Sequence, residues 1–263
     1  MTPEEAKAAA QMIAEARWAT TPLNSLPETC HPATVEEGYR VQAELHALQE
    51  KTTMARRAGY KIGCTTQVMQ DYLGIDHPCA GGIMDSDTHN SGATLDHTDF
   101  VRPGVECEIV ACLASDIPIG TGHMPNDVAN HIDAMMIGIE IVDDRYTDFR
   151  TIGLPTLIAD DFFNAGCILG TPLKSWRALD LPALEGGFNI NDEACTFGHG
   201  ADIMGHPLAA LAWLADHMTM TGGQLKAGDF VMLGSIVKTH WFDEPGKAVA
   251  EIKGLGVVSV IFA

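Results

Sequence analysis

The spacing of apolar residues changes character near residue 55. Thr2-Pro3-Glu4-Glu5 joins an N-cap hydroxyl, a proline suited to the first helical position and two first-turn acids, which predicts a helix to about Arg17. Thr34, followed by Glu36 and Glu37, opens a second helix through Gln49, in which Val41, Leu45 and Leu48 recur as one buried face requires. Residues 1–55 therefore read as a helical N-terminal segment. From Tyr60 onward, short apolar runs are broken by Gly, Pro and Asp, the texture of a β-rich body over residues 56–263. Strands are predicted at 60–63, 105–113, 137–142, 166–169, 187–190, 194–197, 230–233, 236–241, 248–252 and 256–262, with Asn191-Asp192 as a hairpin turn. Two helices interrupt them: 125–136, capped by Asn126, and Pro207 to about Met220, stopped by Gly222-Gly223. Strands with occasional helices, rather than regular alternation, predict an α+β fold.

Composition narrows the function classes. A chain of 263 residues, 46% hydrophobic and 19% charged, can bury one large core and has no excess of charge that would keep it unfolded. Its 35 acidic against 16 basic residues give a formal charge of −19, which repels phosphate backbones and argues against nucleic acid as a partner. An anionic small-molecule substrate would then need a local cation or a bound metal. No apolar run approaches the ~18 residues of a membrane span, and the acidic start lacks a secretory h-region, so a cytoplasmic location is expected. The seven cysteines are odd in number, scattered and without zinc spacing, and they read as reduced core residues.

Chemistry concentrates in RPGVECEIVACL, residues 102–113, where two carboxylates interrupt a run suited to a buried strand. Side chains two apart share a face, so Glu106 and Glu108 point one way, roughly 7 Å apart at the backbone, while Val105, Cys107 and Ile109 point the other. Burying both uncompensated is costly, and a bound cation removes the conflict; the alternative is an edge strand with a solvated acidic face. Glu140 stands alone among Ile137, Ile139, Ile141 and Val142 in a second such run, with no matched Lys or Arg. Three carboxylates on apolar strands favour a hard ion, Mg2+ or Mn2+, over zinc. Lys61, followed by Ile62-Gly63, suits either a partly sequestered cation that neutralises a substrate carboxylate or shuttles protons with a lowered pKa, or a surface lysine covering an apolar face. Ser235, at the end of a strand after Gly228-Asp229, offers a hydroxyl and amides to a carboxylate, or is an ordinary turn. Asp76 is a candidate proton-relay residue or a turn former before Pro78.

The segments GYKIGCTTQVMQDYLGID (59–76), RPGVECEIV (102–110), IGIEIVDDRY (137–146), IADDF (158–162), GHPLAALAWLA (205–215) and LKAGDFVMLGS (225–235) occur in an order that resembles the 2-keto-4-pentenoate hydratase family. That family belongs to the fumarylacetoacetase-like superfamily and includes 4-oxalocrotonate (2-oxo-3-hexenedioate) decarboxylases. The resemblance implies a multi-layered mixed β-sheet body, Glu106, Glu108 and Glu140 as metal ligands, Lys61 as the active-site lysine beside a small 2-oxo acid, and a homo-oligomer built from dimers. It implies hydration of a 2-hydroxy-2,4-dienoate in aromatic catabolism, with decarboxylation or C–C hydrolysis of an acylpyruvate as alternatives and a silent metabolite-binding protein as a remoter one. Two departures bear on the pocket. DFFNAG (161–166) replaces a DNASSG-like stretch and sets Phe162 and Phe163 where small polar residues line the family's pocket, and Cys79-Ala80-Gly81-Gly82 replaces a tyrosine-glycine pair.

Other signals fail on spacing. Gly198-His199-Gly200 with Gly205 lacks the dinucleotide-binding spacing, and the eleven histidines show no H-E-x-x-H group. No serine sits in a G-x-S-x-G elbow.

Overall fold

The computed structural model describes residues 1–263. In chain order the elements are α1 (Pro3–Ala19), α2 (Val35–Thr53), β1 (Arg57–Gly63), α3 (Gln67–Leu73), β2 (Cys79–Met84), β3 (Thr88–Asn90), β4 (Ala93–Leu95), β5 (Pro103–Leu113), α4 (Pro125–Ala129), β6 (Ile132–Asp143), α5 (Leu154–Ala159), β7 (Asn164–Leu169), β8 (Glu185–Ile190), β9 (Glu193–His199), α6 (Pro207–Met220), β10 (Phe230–Ser235), β11 (His240–Trp241), β12 (Gly246–Ile252) and β13 (Gly256–Phe262). Both long N-terminal helices start as their sequences predict. Thr2 accepts from the Glu5 amide in a full capping box, and Thr34 accepts from Glu37.

The strands form two mixed sheets. The larger runs β2-β1-β10-β5-β6-β7-β3, with β11 also pairing to β5, and the smaller runs β4-β13-β12-β8-β9. Val105, Cys107, Ile109 and Ala111 of β5, Tyr60 and Ile62 of β1, and Ile137, Ile139 and Ile141 of β6 belong to the main core, together with α6 and inward residues of the smaller sheet. The residues alternating with them, among them Lys61, Glu106, Glu108 and Glu140, therefore occupy the other face of the larger sheet. That face also carries the apolar cluster of Ile83, Val110, Met136, Cys167, Phe230 and Met232, while α1, α2 and α5 pack on one another beside the free edge of β2 through Ala6, Ala10, Ile13, Val41, Leu45 and Ala159. The Gln42 side chain of α2 donates to the carbonyls of Ala80 (2.9 Å) and Ile158 (2.8 Å), tying the helices to β2 and α5. The α+β class and the mixed-sheet body match expectation.

Several predicted boundaries move. The helix expected at 125–136 ends at Ala129 after one turn. Its N-cap is Met124 with Pro125 behind it, not Asn126, and residues 132–136 extend β6 instead. Continuous pairing of Leu113 to Ile132 through Pro103 to Asp143 decides the matter, because sheet hydrogen bonds and burial outweigh local helix propensity. The strand expected at 236–241 is reduced to His240-Trp241, since the chain loops out after Ser235. Of the cysteines, all free, Cys195 is exposed rather than in the core. The Asn191-Asp192 hairpin forms, both residues at positive φ (49° and 67°), as a type I′ turn demands. No helix is long and apolar enough to cross a membrane.

β2 has no counterpart in the sequence reading, and its glycines are required by close approach. A Cβ on Gly81 would lie 3.2 Å from both Asp161 Cβ and Lys61 Cγ, and one on Gly82 would lie 2.6 Å from His46 Cε1.

Candidate active site

β5 is not an edge strand: β10 flanks it on one side and β6 on the other, which removes the solvated-edge reading of its acids. In the β5–β6 register Glu106 stands directly opposite Glu140, and Glu108 opposite Gly138. One carboxylate oxygen from each of Glu106, Glu108 and Glu140 lies within 4.8 Å of the others. Glu108 and Glu140 are each 1% exposed, and Glu106 is partly exposed.

The three carboxylates share a pattern of use. Glu106 Oε1 accepts from the Thr239 hydroxyl, Glu108 Oε2 from the Gly234 amide (2.8 Å), and Glu140 Oε1 from Asn164 Nδ2 (3.0 Å). The second oxygens of Glu108 and Glu140 are buried without any hydrogen-bond partner. A buried anionic oxygen with no donor is expensive, so Glu108 and Glu140 are each held by one atom and keep the other for an ion. Burial first, then Glu140, raises the pKa of Glu106; burial, then Glu140 and Glu106, raises Glu108 well above the usual range. An all-oxygen donor set of this kind fits a hard divalent cation.

Lys61 reaches the cluster from β1, its Nζ 3.2 Å from Glu140 Oε1 in a side chain only 4% exposed. Burial disfavours its ammonium, but the combined pull of Glu140, Glu106 and Glu108 prevails and raises the pKa, contrary to the lowered value that sequestration alone suggests. The Phe162 ring stands 5.6 Å from Nζ.

Other expected residues are placed differently. Phe163 faces the neighbouring apolar cluster, edge-on to Tyr146 (6.0 Å) and Phe149 (5.7 Å). Ser235 pairs with Glu108 in the β10–β5 register, but its hydroxyl donates to the Val237 carbonyl at 2.7 Å, inside the loop. Asp76 is exposed and makes no hydrogen bond or ion pair with the cluster. Three contributors escaped the sequence reading: Asn164, Thr239 and the amide of Gly234. Asn164, opposite Val142 at the start of β7, lies in the unusual DFFNAG stretch, which is the one signal the sequence offers for it.

Behind the cluster, Asp161 accepts from the Gly82 amide and lies 2.9 Å from His46 Nε2 and 3.2 Å from Arg17 Nη2. Burial would raise its pKa, yet His46, Arg17 and Gly82 together set it at about 2. A depressed carboxylate contributes stability above its unfolded pKa that is lost as pH falls through the folded one. The shift from 3.8 corresponds to about 2 kcal/mol by linkage. Urea midpoints of Asp161→Asn should therefore be lower than those of the parent at pH 7, with a flatter dependence between roughly pH 4 and pH 2.

The model of the fumarylacetoacetate (FAA) hydrolase C-terminal family matches residues 88–261. A 2-keto-4-pentenoate hydratase of Burkholderia vietnamiensis is 31% identical over 96% of this chain and 95% of its own. A 4-oxalocrotonate decarboxylase of Pseudomonas putida is 26% identical over 98% and 97%. The solved structure of 4-oxalocrotonate decarboxylase from Pseudomonas putida G7, complexed with magnesium and adipate, superposes with a TM-score of 0.93 at 26% identity, covering 100% of this chain and 99% of that one. The chain thus belongs to the fumarylacetoacetate hydrolase C-terminal family, within its group of 2-keto-4-pentenoate hydratases and 4-oxalocrotonate decarboxylases.

Proposed function

We propose that this chain is a divalent-metal-dependent hydro-lyase that hydrates a 2-hydroxy-2,4-dienoate in aromatic-compound catabolism. The observation that carries the reading is three carboxylates within 4.8 Å, two with an orphaned buried oxygen, beside one buried lysine. Glu106, Glu108 and Glu140 would hold the ion, Mg2+ or Mn2+. When bound, such an ion supplies Lewis-acid stabilisation of the negative charge on a substrate's 2-oxygen.

The remaining chemistry falls to the chain. Hydration delivers a proton to one carbon of the conjugated system and the elements of hydroxide to another. Lys61 Nζ, kept protonated by its carboxylate neighbours, is the group with a proton to give and the cation that orients the substrate carboxylate. It also answers the electrostatic difficulty of an anion approaching a protein of charge −19. Phe162 covers one side of Nζ and limits water there, which strengthens that charge. Thr239, Asn164 and the Gly234 amide fix the orientation of the three carboxylates. Phe163 and Asp76 carry no step.

Relatives at 29–31% identity named as hydratases favour hydration. The decarboxylase structure supports a second reading, because the same carboxylate cluster and lysine serve loss of carbon dioxide from a 2-oxo acid. Metal-loaded protein incubated with 2-hydroxypentadienoate and with 2-oxo-3-hexenedioate separates them. Loss of diene absorbance without carbon dioxide is expected; carbon dioxide release establishes the second reading, and inertness toward both refutes each. The proposal includes a cytoplasmic homo-oligomer built from dimers, whose contacts would cover exposed apolar residues such as Val257 and Phe197, aligned in one row across the smaller sheet.

A further inference from the structure

Between α5 and β7 the chain turns through three successive non-glycine residues in left-handed backbone: Asp161 at φ 51°, Phe162 at 50° and Phe163 at 68°. L side chains rarely adopt this conformation, and three in a row persist only where the surroundings over-determine them. The surroundings here are cationic. Arg145 donates to Asp160 Oδ2 (2.8 Å) and to the carbonyls of Phe163 (2.9 Å) and Asn164. Arg17, from α1, places Nε 2.7 Å from Asp160 Oδ1 and Nη2 2.9 Å from the Asp160 carbonyl and 3.2 Å from Asp161 Oδ2. His46, from α2, meets Asp161 Oδ1 at 2.9 Å. Every member is buried or nearly so: the Arg17 and His46 side chains are 13% and 9% exposed, and both aspartates 1%.

The turn delivers two side chains to the site, Phe162 over Lys61 and Asn164 onto Glu140. Neither is anchored by the sheet alone, since Phe162 precedes β7 and Asn164 is its first residue. Arg17 and His46 lie outside the residues 88–261 that the family model spans.

We propose that Arg17 and His46 are positioning residues of the active site: from the N-terminal helices they lock the left-handed Asp161–Phe163 turn, so that Asn164 holds Glu140 and Phe162 covers Lys61. The proposal deepens the hydratase reading and rests on it for turnover, though not for the geometry. Residues 1–55 are then a structural part of the site rather than a separable segment. Arginine suits this role because its planar fork engages Asp160 and Asp161 at once, which a lysine ammonium does not reproduce.

Three measurements on the metal-loaded protein test it: kcat and KM, Mn2+ affinity by electron paramagnetic resonance, and chymotryptic cleavage after Phe162 or Phe163 located by mass spectrometry. Arg17→Met should lower kcat about 100-fold with little change in KM, as a displaced site does. It should weaken Mn2+ binding by about 10-fold or more, the usual effect of losing a group that orients a ligand. Cleavage at the turn, shielded in the parent, should appear. His46→Leu should act in the same direction, and His46→Gln, whose amide can donate to Asp161, should recover most of the loss. Val41→Ala, which opens a cavity between the same helices without touching the network, should lower the thermal midpoint and leave Mn2+ affinity and cleavage unchanged. If Arg17→Met does not fold, Arg17→Lys carries the same expectations. Parent-like Mn2+ affinity and protease resistance in the arginine variants overturn the proposal, as do equal losses in Val41→Ala. A parent that lacks hydratase turnover while the binding and cleavage results hold refutes the reaction and leaves the positioning role standing.

Discussion

Glu108→Gln should lose at least about 10^3-fold in turnover, the several kcal/mol that a bound ion supplies, while the chelator-treated variant becomes more stable than its parent. The two effects have one cause. Burial, Glu140 and Glu106 raise the pKa of Glu108 in the folded state, so its ionised form opposes folding. A raised carboxylate contributes stability that is present below its unfolded pKa and lost as pH rises through the folded value. At neutral pH the metal-free parent therefore carries the penalty. Glutamine keeps the acceptor for the Gly234 amide and removes the charge. A gain of about 1 kcal/mol moves the midpoint of a chain this size by roughly 2–4 °C. Scanning calorimetry in chelator at pH 7.5 and near pH 4.5 checks the sign, with the difference shrinking at the lower pH. A variant that is fully active, or less stable than the parent in chelator at neutral pH, contradicts the assigned role.

Lys61→Met should produce the opposite stability change. Methionine approximates the shape of the lysine stem but strips the carboxylate cluster of the one cation in contact with it, Nζ being 3.2 Å from Glu140 Oε1. Breaking a buried pair in this way costs about 3–5 kcal/mol, because the partner charge stays behind. Turnover should fall by roughly 10^2- to 10^4-fold, the range of a lost general acid. Adding Mg2+ should restore much of the lost stability but none of the turnover, since an ion replaces charge compensation and not the proton donor. Denaturant midpoints with and without Mg2+, beside steady-state rates, separate the two contributions. Recovery of both by the ion would remove Lys61 from the chemistry.

Much of this was legible in the sequence where side-chain character contradicts its surroundings. Glu106, Glu108 and Glu140 are conspicuous because each interrupts an apolar run, and period-two alternation already put the first two on one face. The 256–262 strand was legible for the converse reason, with Val258, Val260 and Phe262 all facing the core. What was hidden depends on long-range pairing. Residues 132–136 read as helix because Pro125 and Asn126 look like a helix start and Ala134-Met135-Met136 suit one; only alignment with β5 makes them strand. Strand β2 has no strand signal of its own, since Gly81-Gly82 breaks the apolar pattern locally and only pairing with β1 makes it a strand. The Arg17–Asp160 contact spans 143 positions, a distance at which single-sequence patterns carry no information. The run 236–241 predicts a strand through Thr239, but the chain loops out after Ser235 and the Thr239 hydroxyl reaches Glu106.

The bare positions of β2 have a consequence for anyone who would move this site into another scaffold. Matching the acids, the lysine and the arginine fork is insufficient, because Gly81 and Gly82 set how near Asp161 and His46 can come to the sheet and leave room for the Lys61 stem. An alanine at Gly81 demands that a neighbour retreat by a few tenths of an ångström, and one at Gly82, 2.6 Å from His46 Cε1, demands a larger displacement of that ring. A successful graft must copy two absences of side chain as faithfully as the functional groups themselves.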